Sequence, residues 1–156
     1  MVVGDWLHLA ADGMGGADSV FGGEEDGMLA RMLTAIGLTG DEVFVTNVIK
    51  CGLAKDCQPS AEHIRVCLSF LQRQIVLIQP QIVLAMGMVA TKALLDRPES
   101  LSQLRGKILD FTASDGKAIP LLATFHPSYL LQNPEMKKAT WTDLQILAKW
   151  LNPPTT

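Results

Sequence analysis

The sequence has no excess of positive charge and little cysteine, and each shortage removes a class of protein. Its formal net charge is -3, so no overall basic field attracts nucleic acid, and such a partner would require a local basic patch. The 156 residues include three cysteines, and an odd number without a secretory signal argues against a disulfide framework. A disulfide-stabilised secreted domain and a generally basic nucleic-acid-binding protein are therefore both disfavoured.

The sequence also lacks long apolar runs and two familiar phosphate-binding motifs. No run reaches membrane-spanning length, and no charged segment followed by an apolar segment opens the chain. Neither a strand–GxGxxG–helix unit nor a GKS or GKT loop occurs. We therefore expect a soluble cytoplasmic protein without a membrane partner. Since Met1 enters a strand at once, the sequence leaves open whether a segment is missing upstream.

What is present is a chain that is 48% hydrophobic and long enough for one domain with a core. Short apolar strands alternate with segments of helical periodicity, which predicts an α/β protein whose parallel sheet is covered on both faces. The predicted strands are residues 1–4, 42–48, 82–86, 107–112 and 119–125, with a hairpin joining the last two. The predicted helices begin near Asp26, Pro59, Gly87 and Asn133. We expect Asn133 to cap the final helix and Trp141 to face inward from that helix.

Polar or small residues follow four of these strands. They are Asp5, Asn47, Gly87 and His126. Because the carboxyl ends of parallel strands meet at one edge of a sheet, we expect these four residues to lie together, where α/β proteins place their ligands. The segment from Thr124 to Pro134 stands out, because a buried strand ends abruptly in His126-Pro127-Ser128.

Several segments together resemble one known family. They are Thr46-Asn47-Val48-Ile49-Lys50-Cys51, Leu84-Ala85-Met86-Gly87, Leu104-Arg105-Gly106-Lys107 and Thr124-Phe125-His126-Pro127-Ser128-Tyr129. In this order and spacing they resemble the uracil-DNA glycosylase superfamily, most closely its iron–sulfur class, family four. The resemblance implies a three-layer fold around a four-stranded parallel sheet, with one domain over residues 1–152 and a tail at 153–156.

The resemblance also implies an activity and a binding pocket. The family removes uracil from DNA by hydrolysing the base–sugar bond of a nucleotide flipped out of the helix. Asn47 stands where the family's uracil-reading asparagine lies, Phe21 where its stacking phenylalanine lies, and Gly4 is retained from its first motif. His126 matches the histidine placed beside the uracil carbonyl, where a fixed donor stabilises growing negative charge.

The segment after His126 resembles the family's DNA-binding loop. That loop enters the minor groove and fills the space left by the base, as apolar wedges do. The residues concerned are Pro127, Ser128, Tyr129 and Leu130.

The first motif departs from the family. Asp5 stands at the family's glutamate, the Pro-Gly turn is missing, and the acidic run is reduced to Asp12. Asp5, Asp12 or His8 could position the attacking water. It is equally open that this loop has lost its chemistry.

The cysteines depart from the family as well. Cys51 and Cys67 match two of four iron–sulfur ligands, and Cys57 matches none. Two thiolates do not complete a four-cysteine site. We therefore expect no cofactor in this chain, or a 4Fe-4S cluster if an upstream Cys-x-x-Cys segment is missing. A zinc site formed by the three cysteines and His63 is a further alternative.

Two functions follow from the sequence. The first is a monomeric uracil-DNA glycosylase-like hydrolase acting on single- or double-stranded DNA that contains uracil. The alternative is a catalytically degenerate relative that binds DNA or a base without cleavage. A third hypothesis is a domain that keeps the fold but neither binds nor cleaves DNA. A local basic patch for DNA would draw on Lys50, Lys92, Arg105, Lys107, Lys137 and Lys138.

Overall fold

A computed structural model of the protein describes residues 1–7, 9, 19–54 and 57–153. The strands are β1 (Val2–Gly4), β2 (Val45–Asn47), β3 (Val83–Met86), β4 (Ile108–Thr112) and β5 (Ala118–Thr124). The helices are α1 (Gly23–Ala35), α2 (Ala61–Ile78), α3 (Met88–Leu95), α4 (Leu101–Leu104), α5 (Pro127–Gln132) and α6 (Lys137–Leu151), with 3-10 turns at Gly40–Glu42 and Pro134–Met136.

The five strands form one sheet in the order β2-β1-β3-β5-β4. The first four of these run parallel, and β4 is an antiparallel edge strand paired with β5 through the predicted hairpin. The predicted α/β class is confirmed. The resemblance implied a sheet of four parallel strands. The sheet has a fifth strand, β4, because the hairpin adds it at the edge beside β5.

Alternation along the strands sends side chains into two separate cores. Val3, Val83 and Leu121 belong to one core, which includes Leu71 and Ile75 of α2. The opposite core contains residues from the other strand face and from α1 and α6, namely Val2, Leu84, Leu122, Leu29, Leu33, Leu144 and Leu147. The sheet is therefore the middle of three layers, as the residue alternation of a buried strand requires.

The predicted start of α2 is confirmed, and its cap explains the position of His63. Ser60 Oγ accepts a hydrogen bond from the backbone N–H of His63, and His63 Nδ1 accepts one from the backbone N–H of Ser60. This reciprocal cap satisfies two N–H groups at a helix end. Both residues are solvent exposed, so His63 closes a helix end at the surface.

Two predictions about the last helix are wrong. Asn133 precedes the turn at Pro134–Met136, and its side chain makes no cap hydrogen bond to that turn; its Nδ2 donates to the carbonyl of Tyr129 instead. Trp141 faces outward, with 41% of its surface exposed. Helical periodicity identifies an apolar stripe, but it does not tell how far the neighbouring helix covers that stripe.

No helix within the described ranges is both long enough and apolar enough to span a membrane.

Candidate active site

The ends of the parallel strands bring the predicted residues to one edge of the sheet. Gly4 is the register partner of Asn47 across β1 and β2, and Met86 is the partner of Thr124 across β3 and β5. Asp5 therefore follows β1 beside Asn47, and His126 follows β5 beside Gly87. The register places at this edge the four strand-end residues that the sequence predicted there.

Gly4 lies in close contact with two of the predicted binding residues. A Cβ atom added to Gly4 would lie 2.7 Å from both Phe21 Cζ and Asn47 Oδ1. Distances below 3.0 Å do not occur at real Cβ atoms, so any side chain at this position would displace the phenyl ring or the amide. Glycine is required here because the backbone approaches both groups closely.

The Asn47 side chain is buried and only partly hydrogen-bonded. Its Nδ2 donates to the carbonyl of Val20 at 2.5 Å, and 7% of the residue is exposed. Its Oδ1 has no hydrogen-bond partner among the described residues. One N–H and the carbonyl oxygen of the amide therefore remain for a ligand. A buried polar atom without a partner is costly, which makes Asn47 Oδ1 a candidate for contact with a ligand.

His126 closes the other side of this cluster. Its ring centroid lies 4.7 Å from that of Phe21, and the residue is 4% exposed. His126 is the N-cap of α5: its Nδ1 accepts from the backbone N–H of Ser128 at 3.2 Å and lies 2.8 Å from Ser128 Oγ. With Nδ1 used as an acceptor, a neutral ring carries its proton on Nε2, which makes Nε2 a donor.

The loop that carries Phe21 is held by Asp26, a residue that the sequence analysis missed. Asp26 Oδ1 accepts from the backbone N–H of Phe21 at 2.9 Å, and Oδ2 accepts from the backbone N–H of Val20 at 2.9 Å and from Ser19 Oγ at 2.6 Å. We call these three bonds the Asp26 clasp. The spacing of five residues between Phe21 and Asp26 matches no known motif. In the sequence, the position of Asp26 in the first turn of a predicted helix was the one feature that pointed to it.

Phe21 itself has no exposed surface. A base can therefore stack on its ring only after the loop around residues 19–23 rearranges, as binding loops do in a minority of complexes.

Asp5 extends from the end of β1 to the N-terminus of α3. Its Oδ1 accepts from the backbone N–H of Ala90 at 2.7 Å. A Cβ atom added to Gly87, which has φ 106°, would lie 2.6 Å from Asp5 Oδ1, so the carboxylate is in contact with this glycine. Burial raises the pKa of Asp5 to about 7, against the lowering effect of the hydrogen bonds from Ala90 and Val89. Asp12 and His8 lie outside the described residues.

Lys50 turns back onto the strand that presents Asn47. Its Nζ donates to the carbonyl of Asn47 at 2.7 Å, to Thr46 Oγ1 at 3.0 Å and to Gln74 Oε1 at 2.5 Å. Burial lowers the pKa of Lys50, and the nearby Cys67 opposes this. The ammonium group therefore fixes the turn after β2 and is less available to DNA than the sequence suggested.

Arg105, also a candidate for the basic patch, is engaged within the fold. Its Nε donates to Asp143 Oδ2 at 3.0 Å and its Nη2 to Asp143 Oδ1 at 2.9 Å, and Asp143 is fully buried. Thr124 Oγ1 donates to the same carboxylate at 2.6 Å. This buried ion pair therefore fixes the end of β5, two residues before His126.

The predicted DNA-binding loop is α5 and only part of it reaches the surface. Leu130 is fully buried and Pro127 is buried, whereas Ser128 is half-buried and Tyr129 is 42% exposed. The turn of α5 places Leu130 in the core, and its part in a DNA-binding loop stays a prediction. The Tyr129 ring stacks on Phe125 with centroids 5.1 Å apart.

The cysteines do not assemble a metal site. Cys51 and Cys57 are exposed and Cys67 is half-buried. Over the part of the chain that the structure describes, no three side chains of metal-binding type lie close enough to hold an ion. The arrangement of Cys51, Cys57, Cys67 and His63 around zinc is thus not formed. The three cysteines also do not fit a four-cysteine cluster, and the chemistry below is built from other side chains.

Comparison with known proteins decides the family. The family model described as the uracil DNA glycosylase superfamily matches residues 6–145. The chain belongs to this superfamily. This match confirms the family that the sequence motifs indicated.

Among curated proteins, the chain is similar to type-4 uracil-DNA glycosylases. It is 29% identical to that of Pyrobaculum aerophilum over 150 residues, covering 94% of this chain and 74% of the relative. It is 27% identical to that of Archaeoglobus fulgidus over 133 residues (83% and 66%) and 32% identical to that of Sulfurisphaera tokodaii over 130 residues (80% and 59%). The chain thus spans about three fifths to three quarters of the lengths of these glycosylases.

Proposed function

We propose that this protein removes uracil from DNA by hydrolysing the bond between the base and the sugar. The observation that carries the proposal is the buried, unpaired Asn47 Oδ1 beside the Phe21 ring, which in turn packs against His126. The names of the similar glycosylases support the same activity.

Asn47 reads the base in this proposal. One of its Nδ2 hydrogens is used by the Val20 carbonyl, which leaves one N–H donor and the Oδ1 acceptor. Uracil presents an N3–H donor next to an O4 acceptor, which pairs with both. Cytosine presents an acceptor and an amino donor at the same two positions, which leaves the buried amide unsatisfied at a large energetic cost.

His126 stabilises the departing base. Water attacks C1′ of the sugar while the N1–C1′ bond breaks, and the bond's electron pair passes into the uracil ring as negative charge at N1 and O2. A donor held at His126 Nε2 by the bonds at Nδ1 favours this charged state over the neutral substrate. The water gives up one proton as its oxygen bonds to C1′, and the uracil anion takes up one proton from solvent, so the products are uracil and an abasic sugar.

Asp5 is the candidate for positioning the water among the described residues. Its carboxylate stands at the strand edge and is fixed by the amide of Ala90. A carboxylate there favours the positive charge that develops on the sugar. Asp12, the second candidate from the sequence, keeps that role as a prediction.

The decisive experiment is release of uracil from a single-stranded oligonucleotide. We expect turnover by the wild type and a loss of about 100-fold or more in kcat/KM for Asn47→Ala and for His126→Ala, since each removes a hydrogen bond made to the reacting base. Lys117→Ala, on the exposed β4–β5 hairpin, is the control. Equal inactivity of a folded wild type and both variants would contradict the proposal.

The alternative of binding without cleavage has a different outcome. In that case the wild type binds uracil-containing DNA, and the amide signals of residues 21, 47 and 126 shift, but no base is released.

A further inference from the structure

A groove on the outer surface of the α1–α6 layer is not used by the base-binding site. Its volume is about 270 Å³. Its floor is apolar and its rim carries two cations and an indole; these residues are Met28, Met32, Leu144, Arg31, Lys137 and Trp141. We call it the α1/α6 groove.

The two cations at the groove are available to an outside partner. Neither Arg31 nor Lys137 takes part in an ion pair within the described ranges, where the pairs are Arg65–Glu62 and Arg105–Asp143. Among the residues that the structure describes, no carboxylate lines the groove. The groove is therefore a local positive site on a chain whose net charge is -3, and it fits a polyanion.

Trp141 adds a flat surface that a base can use. It is 41% exposed, on a helix that buries Leu144 and Leu147 in the core. Cations beside an exposed aromatic ring are the combination by which proteins bind single-stranded nucleic acid, since bases stack on the ring and phosphates pair with the cations.

The two helices that form the groove adjoin the elements that carry the base-binding site. α1 begins two residues after Phe21, α6 follows α5 across a short turn, and α1 packs against α5. Arg31 stands about 12 Å along α1 from Gly23 at 1.5 Å per residue. For a stacked strand with the B-form spacing of about 3.4 Å per nucleotide, this distance corresponds to three or four nucleotides.

We propose that the α1/α6 groove binds the DNA strand that flanks the flipped nucleotide, with one base stacked on Trp141 and its phosphates paired with Arg31 and Lys137. This inference rests on the proposed function for the identity of the nucleotide in the base-binding site. It assigns DNA contacts to a surface outside the loop after His126.

The test compares a short and a long single strand. Each carries one central 2′-fluorodeoxyuridine, whose fluorine resists base release; the strands have about five and about fifteen nucleotides, so that only the longer one reaches the groove. Trp141→Ala should raise the Kd of the long strand about tenfold and change that of the short strand less than about twofold. Trp141→Phe, which keeps a stacking ring, should retain most of the affinity.

The cations are tested by salt dependence. Replacing both Arg31 and Lys137 by Gln should lower the slope of log Kd against log salt for the long strand by about 1.4, since each phosphate contact to a single strand contributes about 0.7. Trp150→Ala and Lys117→Gln are the matched controls, because Trp150 is 37% exposed on the same helix and Lys117 is an exposed lysine on the β4–β5 hairpin.

Three outcomes overturn the inference. The first is an unchanged Kd of the long strand for Trp141→Ala, and the second is an equal loss for the short strand or for Trp150→Ala. The third is a change in self-association, seen by sedimentation, without a change in DNA affinity, which would make the groove a protein-binding surface. Uracil release from an unmodified short strand is measured separately, so that failure of the proposed function is distinguished from failure of the groove.

Discussion

Asp5 illustrates how a single residue is shaped by opposing forces at the edge of the sheet. The N–H groups at the start of α3 favour the charged carboxylate, as helix N-termini do. Burial favours the neutral acid and is the larger effect, so the pKa rises to about 7. A residue with such a pKa changes charge within the physiological range, which makes its protonation state measurable through both stability and activity.

The free energy of unfolding should therefore depend on pH through Asp5. Its pKa in the folded protein, about 7, lies above the ordinary value of 3.8. The folded state thus holds a proton between about pH 4 and pH 7 that the unfolded state has lost, and stability from this group falls as pH rises through that window. Asp5→Asn removes the dependence. Urea unfolding at about pH 5 and about pH 8 should show the wild type losing stability relative to Asp5→Asn at the higher pH.

Asp110→Asn, a substitution of an exposed aspartate on β4, is the control and should leave the pH dependence unchanged. An identical difference between wild type and Asp5→Asn at both pH values would contradict the assignment. If the Asp5 carboxylate also positions the water, kcat of the wild type should rise through about pH 7.

At the scale of elements, the loop before α1 and the strand β2 are joined through one peptide unit. In the peptide unit between Val20 and Phe21, the Phe21 N–H donates to Asp26 and the Val20 carbonyl accepts from Asn47. The Asp26 clasp therefore fixes both the phenyl ring of Phe21 and the orientation of the Asn47 amide. The helix has no side-chain cap of its own at Gly22, so the clasp also secures its first turn.

Asp26→Ala should loosen this element. The variant loses three hydrogen bonds, two of them from backbone N–H groups, and we expect a loss of about 1–3 kcal/mol in the free energy of unfolding. Uracil release should weaken mainly through a higher KM, because a disordered Phe21 loop must be ordered on binding. Thermal unfolding and steady-state kinetics measure the two effects.

Glu24→Ala is the matched control for Asp26→Ala, since Glu24 is an exposed acid in the same helical turn. An equal effect of the two substitutions would show that the charge near the helix end matters and that the clasp does not.

At the scale of the whole molecule, the buried Arg105–Asp143 pair connects segments 38 residues apart in sequence. Arg105 reaches the carboxylate from the turn before β4, Asp143 provides it from α6, and Thr124 holds it from β5. The Arg105 guanidinium also lies 5.3 Å from the centre of the Phe125 ring, on which Tyr129 stacks. The pair thus supports the surface loop as well as the strand end that carries His126.

Arg105→Met should destabilise the whole fold. Removing the cation leaves a fully buried carboxylate without its counter-charge, which costs about 3–5 kcal/mol. Adding Asp143→Asn to this variant should recover part of the loss, because the buried group is then neutral. Arg65→Met is the control, since the side chains of the Arg65–Glu62 pair are 73% and 64% exposed and solvent screens such surface pairs, so that they contribute little to stability. Urea unfolding of the four proteins gives the comparison, and similar losses for Arg105→Met and Arg65→Met would contradict it.

The sequence alone determined the succession of strands and helices, the parallel sheet, and the polar residues at the strand ends. These follow from local signals, because apolar periodicity and breakers such as Gly87 and Pro127 act within a few residues. The motifs around Asn47 and His126 were likewise local, and they were enough to indicate the family that the comparisons confirm.

Only the tertiary structure decided what lies next to what. The strand order β2-β1-β3-β5-β4, the Asp26 clasp, the buried Asp143 and the exposed side of Trp141 all depend on packing between distant segments. A periodic pattern shows that a helix has an apolar face, but the area of that face that neighbours cover is set by how the layers meet. For that reason Trp141 was expected in the core and borders an open groove.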